Sequence, residues 1–317
     1  MRAVAVLLGL FIGAGAMPES RAATSISALD EIVVTGERTG PGLWHLVRGD
    51  SQLWILGTVA PLPKNVTWRS TQVEQVLGKV HRVLLAKPVQ IGITRAAWLL
   101  LTRRDLFMVQ GGRRLHDVLP HDLYIRFTAL RMKYRLSTDK WERYRPILAG
   151  AFLQEHALRT VGLSSRLDLG AEVRVLANKH RVAVDEVSIA GVRDALEVLK
   201  NLPSATENTC VGAALETVES GLPRLVERAW AWATGDIERI QALPPLPQVE
   251  ACVAALSSNS SASGNLMAQI RRSWLVGVEA ALRHGDVLAV LNIDQLQEHG
   301  GLFDDLRAAG FEIEAPR

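Results

Sequence analysis

The segment LWILGTVAPLP, residues 53–63, sets the architecture of this chain. Its apolar run ends in Gly57-Thr58 and opens into a loop bounded by prolines, which predicts a buried strand that stops near Val59. Ligands in α/β sheets bind at the carboxyl ends of strands. The loop after Thr58 is therefore a candidate binding site.

The neighbouring segments alternate between strand and helix. A strand over 43–47 joins a strand over 52–59 through the turn 48–51, whose Gly and Asp suit a hairpin. Apolar residues at three-four spacing predict a helix over 70–83, which leads into a short apolar strand over 83–86. This order predicts an α/β fold with a parallel pair of strands and a right-handed crossover.

Helical patterns fill most of the middle of the chain. They predict a large helical insertion over about 91–165 and 189–285, with a helix over 168–179 and a strand over 181–187 between the two parts. The C-terminal end adds a strand over 287–293, a helix over 302–309 and a strand over 311–314. The fold class is thus predicted as α/β, with a mixed central sheet formed by N- and C-terminal segments. Residues 43–317 are predicted to form a single domain.

Composition and charge exclude several classes of protein. Of the 317 residues, 48% are hydrophobic and 22% are charged, so the chain can bury a sizeable core. The net charge of +3 is too small to indicate a nucleic-acid partner. No apolar run of about 20 residues occurs outside the N-terminus, which excludes a polytopic membrane protein. The eight Trp outnumber the six Phe and the three Tyr, which is unusual.

The N-terminus has the pattern of a secretory signal peptide over residues 1–22. A positively charged start precedes the apolar stretch Ala3–Met17, and small residues place the cleavage site near Ala22. A retained anchor would need about 20 apolar residues, which this stretch does not reach. We therefore expect a periplasmic or secreted protein with no transmembrane segment in the mature chain, in which residues 23–42 form a flexible N-terminal segment.

Export gives the two cysteines a structural interpretation. An oxidising compartment allows a disulfide to persist, and Cys210 and Cys252 are the only cysteines, so a single bridge is predicted. A metal or catalytic role is the weaker alternative because no His or second Cys lies at ligand spacing from either residue.

Several short motifs follow one another in an order that resembles the TraB/GumN family. The first is WILGT at 54–58, and the last is the strand 290–296 followed by GGLFDDL at 300–306. Further landmarks lie between them: Arg145-Pro146 after Trp141, AWAWATGD at 229–236, and Trp274. The resemblance is to the GumN-like branch, which is distantly related to the Tiki metalloproteases, and it covers about residues 43–317.

The family pattern implies a metal-dependent hydrolase or protease, but this sequence lacks the expected ligands. The pattern requires a His after Gly57-Thr58, a Glu at the end of the next strand, and a Gly and a His in the last signature. These positions hold Ala60, Ala86, Asn292 and Gln295. Alanine has no lone pair, and a neutral amide is a poor substitute for imidazole on a transition metal. We therefore expect no metal, no other cofactor and no catalytic residue at this degenerate site.

A rebuilt or different site remains an alternative. Asp294, Glu298 and His299 could form a shifted metal site on the same loop, which would make the protein a metal-dependent hydrolase. A second loose group, His116, Asp117 and His121, has no recognised metal spacing. Lys64, Trp68 and Arg69 are expected at the rim of the cleft beside Thr58.

The leading hypothesis is a non-catalytic binding or accessory protein of the bacterial envelope. The resemblance to GumN-like proteins suggests a context of exopolysaccharide production, and an envelope protein, a peptide or a glycan are the candidate partners. The segment DEIVVTG at 30–36 resembles the box by which outer-membrane receptors engage TonB. An edge strand or a disordered tail is the alternative for these residues.

Overall fold

The strand predicted for the LWILGT segment is present in the computed structural model of the chain. Strand β2 covers Ser51–Thr58 and pairs with the antiparallel strand β1, Leu43–Arg48, as the predicted hairpin. The structure describes residues 40–63, 66–87, 98–99, 101–136, 141–164, 169–188, 192–244, 246–258, 263–297 and 301–316. These residues belong to one compact unit, Arg38–Arg317.

The remaining elements alternate along the chain much as predicted. The other strands are β3 (Leu62–Pro63), β4 (Arg82–Ala86), β5 (Leu163–Ser164), β6 (Ala183–Val187), β7 (Val287–Asn292) and β8 (Glu312–Glu314). The helices are α1 (Thr71–Leu77), α2 (Arg104–Phe107), α3 (Leu115–Val118), α4 (His121–Lys133), α5 (Pro146–Thr160), α6 (Leu169–Lys179), α7 (Val192–Lys200), α8 (Ser204–Glu216), α9 (Leu222–Thr234), α10 (Ile237–Gln241), α11 (Pro247–Ser258), α12 (Ser263–Leu282), α13 (Ile293–Gln297) and α14 (Leu302–Ala308). A π-helical segment, Thr217–Gly221, joins α8 to α9.

The central sheet has six strands in the order β6-β4-β7-β2-β1-β8. Strands β6, β4, β7 and β2 run parallel, whereas β1 is antiparallel to both of its neighbours. The predicted mixed sheet, built from N- and C-terminal segments, is therefore confirmed. One detail differs from the expected parallel pair, because β7 lies between β2 and β4 and pairs with both.

The burial of each strand explains its place in the sheet. Val287, Leu288 and Ala289 of β7 are fully buried, as expected for a strand that is covered on both faces. Strand β1 alternates instead: Trp44 and Leu46 are buried, whereas His45 is partly exposed. Strand β1 thus presents one face to the core, which suits its position near the edge of the sheet.

The helical insertion is held together by a disulfide and by a buried ion pair. Cys210 in α8 and Cys252 in α11 lie at disulfide distance, with the two sulfur atoms 1.99 Å apart, in agreement with the predicted bridge. Arg145, which precedes α5, forms an ion pair with the buried carboxylate of Glu207 in α8. Pro146 occupies the first turn of α5, where its missing N–H is not needed. The Arg-Pro landmark is thus a helix start fixed to a neighbouring helix.

A second, smaller sheet lies outside the six-stranded one. Strands β3 and β5 form a separate two-stranded ladder that attaches the loop after β2 to the end of α5.

Within the described residues, no helix combines the length and the apolar composition that crossing a membrane requires.

Candidate functional site

The candidate site lies at the carboxyl edge of the parallel strands. Thr58 at the end of β2 is in register with Asn292 at the end of β7. Leu84 of β4 is in register with Ala289 of β7, and Ala86 is the last residue of β4. Because parallel strands end at the same edge of a sheet, the positions on these three strands that are predicted from the sequence to be degenerate share that edge.

Gly57 is required by close packing. A β-carbon at this position would lie 2.2 Å from Cζ3 of Trp44 and 2.6 Å from Cγ1 of Ile293, distances that no side chain can adopt. The indole Nε1–H of Trp232 donates a 2.7 Å hydrogen bond to the Gly57 carbonyl oxygen. Since Trp232 is fully buried, helix α9 of the insertion is fixed directly to the end of β2.

The polar groups of Thr58 and Asn292 are occupied by local structure. The Thr58 hydroxyl donates to the Leu291 carbonyl oxygen at 3.2 Å. The side-chain oxygen of Asn292 accepts a 2.8 Å hydrogen bond from the backbone N–H of Asp294 and so caps the start of α13. Both side chains stabilise the strand-to-helix turn at this edge.

Asp294, a residue of the alternative metal site, is paired with a buried cation. Its carboxylate accepts a hydrogen bond from Nη2 of Arg228, which lies in α9. Arg228 is 8% exposed, and its other terminal nitrogen donates to the Leu243 carbonyl oxygen at 3.2 Å. A metal ion at Asp294 would have to compete with this guanidinium and would leave it buried without its partner.

The residues at the positions predicted to correspond to the family's ligands do not fit a metal ion. Ala60 and Gln295 are exposed and Ala86 is partly exposed, and none of the three supplies an imidazole or a carboxylate. Within the described ranges, no group of three or more His, Cys, Asp or Glu residues is placed to hold a metal ion. Lys64, Glu298 and His299 lie outside the described residues.

The expected rim of the cleft contains one packed aromatic residue and one exposed cation. Trp68 is partly buried, its ring centroid lies 6.2 Å from that of Trp232, and its indole N–H donates to Glu172 at 2.7 Å. Arg69 beside it is exposed. The expected rim residue Trp68 therefore bridges α6 and α9, while Arg69 remains accessible to a ligand.

The tryptophans divide into a packed group and an exposed group. Trp44, Trp232 and Trp274 are buried in the core. Trp230 is 44% exposed and Trp98 is 60% exposed. The two tryptophans of α9 are two residues apart and face different sides of the helix, which explains the difference.

Two side-chain contacts at this edge were not predicted from the sequence: Trp232 with the Gly57 carbonyl oxygen, and Arg228 with Asp294. Each pair is distant along the chain, so no local pattern indicates it. The AWAWATGD landmark was the available signal, because it begins directly after Arg228 and contains Trp232.

These features define an α/β protein in which helix α9 of a large helical segment contacts the carboxyl edge of a mixed sheet. The chain belongs to the TraB/PrgY/gumN family, whose profile matches residues 42–315. This match confirms the resemblance found from the motifs. No curated protein and no solved structure matches the chain.

Proposed function

We propose that this protein is an exported, non-catalytic binding or accessory protein of the bacterial envelope. The observation that carries the proposal is the identity of Ala60, Ala86 and Gln295 at the positions where the family pattern requires two His and a Glu. A water molecule activated by a metal needs several such ligands, and the chain supplies none of them there.

The contacts at the sheet edge support this proposal. The carboxylate of Asp294, an acidic residue within the last family motif (290–296), is paired with Arg228. Asn292 and Thr58 use their polar atoms on backbone groups. These polar side chains therefore stabilise the fold at this edge. The exposed Arg69 beside the loop is a group that a ligand could contact.

The proposed location and context follow from the sequence. The signal pattern over residues 1–22 and a disulfide both suit an oxidising compartment outside the cytoplasm. Membership of a family that includes gumN suggests exopolysaccharide production as a context, with a glycan, a peptide or an envelope protein as the ligand.

Metal analysis combined with a hydrolysis screen tests the proposal. The chain without residues 1–22 is purified, its bound metal is quantified, and its turnover of peptide and ester substrates is measured. We expect neither stoichiometric metal nor turnover. Metal that is present at one equivalent and lost in the His299→Ala variant would instead establish the relocated hydrolase site near Asp294–His299.

A restored variant tests whether the three positions are former ligands. We expect Ala60→His/Ala86→Glu/Gln295→His to gain Zn²⁺ binding, since Ala60 and Gln295 are exposed and Ala86 is partly exposed, which leaves room for longer side chains. The control Ala60→Asn/Ala86→Gln/Gln295→Asn adds polar groups without imidazole or carboxylate. A folded restored variant that binds no more Zn²⁺ than this control would contradict the assignment.

A further inference from the structure

A groove of about 430 Å³ lies in the helical insertion, apart from the sheet edge. Its walls come from α2, the loop between α2 and α3, and the segment just before α5. The polar side chains that line it are Arg104, Asp105, Gln110, Arg113, Arg114 and Arg143. None of them belongs to the candidate site described above.

The groove carries a strong excess of positive charge. Its four arginines, Arg104, Arg113, Arg114 and Arg143, are all exposed, and Asp105 is the single acidic residue among the described residues that line it. The Asp105 carboxylate is 3.4 Å from Nε of Arg103. A concave surface lined by charges of one sign concentrates ligands of the opposite sign.

Two described acidic residues near the groove, Asp117 and Glu142, bind groups other than the side chains of the groove arginines. Asp117 accepts a 2.7 Å hydrogen bond from the Arg114 backbone N–H and pairs with His116 at 3.1 Å. Glu142, which precedes Arg143, accepts a 2.9 Å hydrogen bond from the Tyr124 hydroxyl. Throughout the described ranges, no carboxylate forms an ion pair with any of the four groove arginines.

The walls of the groove are held in place by backbone contacts. The Val109 N–H donates to the Arg143 carbonyl oxygen at 2.8 Å, and Met108 forms an antiparallel bridge with Tyr144. These contacts fix the loop that carries Arg113 against the segment that carries Arg143. The loop reverses direction at Gly111-Gly112, where both residues have φ near +70°, a conformation that favours glycine.

We propose that this groove binds a small ligand that carries at least two phosphate or carboxylate groups. Guanidinium groups recognise both oxyanions through paired N–H donors. The volume of the groove lies within the range of sites for small molecules. This proposal is independent of the state of the former metal site, because it uses none of its residues.

Isothermal titration of the full chain without residues 1–22 tests the proposal, with inorganic pyrophosphate and citrate as separate probes. We expect saturable binding of at least one probe with one molecule per chain, weakened by added NaCl. The variant Arg113→Gln/Arg143→Gln should raise the Kd about tenfold or more, because each lost guanidinium removes a charge-assisted hydrogen bond.

The control variant Arg181→Gln/Arg272→Gln removes two exposed arginines outside the groove and therefore the same net charge. Its Kd should stay within about twofold of the unmodified chain. Binding of pyrophosphate alone would assign a phosphate ligand, and binding of citrate alone a carboxylate ligand. The proposal would be overturned if neither pyrophosphate nor citrate bound, or if the two folded variants weakened binding equally.

Discussion

Substitution of Gly57 by alanine should destabilise the fold at the centre of the family signature. The new methyl group would lie 2.2 Å from the Trp44 ring and 2.6 Å from Ile293, and both neighbours are buried. We expect the free energy of unfolding to fall by about 1–3 kcal/mol in a denaturant titration, as for other overpacked cores.

Gly78→Ala is the matched control for this substitution. Gly78 is exposed after α1, has an ordinary helical φ, and a β-carbon there would meet nothing closer than 3.4 Å. The free energy of unfolding of the Gly78→Ala variant should differ from that of the unmodified chain by less than about 0.5 kcal/mol. Equal effects of the two substitutions would show that the contacts around Gly57 relax without cost.

At the level of single residues, the sequence shows which chemical groups each position offers, but it does not show which partners those groups contact in the fold. The absence of imidazole and carboxylate at Ala60 and Gln295 is readable without a structure, because it depends only on side-chain chemistry. The pairing of Asp294 with Arg228 is not readable, because it depends on how α9 packs over the sheet. Geometry was therefore needed to show how Asp294 is held.

Helices α1 and α6 are linked by an acid-sensitive contact. The carboxylate of Glu74 in α1 accepts hydrogen bonds from Lys179 at 2.9 Å and from Ser70 at 2.8 Å, and lies 3.4 Å from His180. These contacts, with Lys179 the strongest, lower the pKa of Glu74 from 4.5 to about 2.

Glu74 should therefore contribute to stability at neutral pH and lose that contribution in acid. A carboxyl with a lowered pKa stabilises the fold above its unfolded pKa of about 4.5 and stops doing so as the pH falls through about 2. We expect Glu74→Gln to lower the free energy of unfolding at pH 7. The difference from the unmodified chain should shrink between pH 4.5 and pH 2.

Glu312→Gln is the control for this titration, since Glu312 is an exposed carboxylate on the edge strand β8. Within the described part of the chain it forms no ion pair. Its effect on the free energy of unfolding should be small and nearly constant with pH. A constant difference for Glu74→Gln as well would refute the proposed link between α1 and α6.

Elements were predicted well where the pattern is local. The apolar runs of β2 and β7 predicted both strands to within one residue at each end. The three-four spacing predicted the start of α1 to within one residue, but the helix ends at Leu77, six residues before the predicted end. The ladder of β3 with β5 was missed, because each strand has two residues and β3 contains a proline. The place of β7 between β2 and β4 was missed because strand pairing depends on contacts distant in sequence.

At the scale of the whole molecule, the sheet depends on its C-terminal segment. Strand β7 is the sole partner that joins the pair β1-β2 to the pair β4-β6 in the described sheet. A chain truncated after residue 285 should therefore lack cooperative unfolding, which circular dichroism with a denaturant titration would show.

A chain that ends at Gly310 provides the control. It loses the edge strand β8 and the buried Phe311 but keeps β7. We expect it to unfold cooperatively at a lower denaturant concentration than the full chain. If the chain truncated after residue 285 also unfolded cooperatively, the remaining strands would have closed the sheet without β7.

The position of β7 also constrains how the protein is made. A ribosome synthesises β2 and β4 more than 200 residues before β7. Until Asn292 has left the ribosomal exit tunnel, both strands have an unpaired edge facing the vacant centre of the sheet, and such edges favour aggregation. The central pairing of the sheet therefore cannot form before β7 has been synthesised, and we expect the nascent chain up to that point to bind holding chaperones.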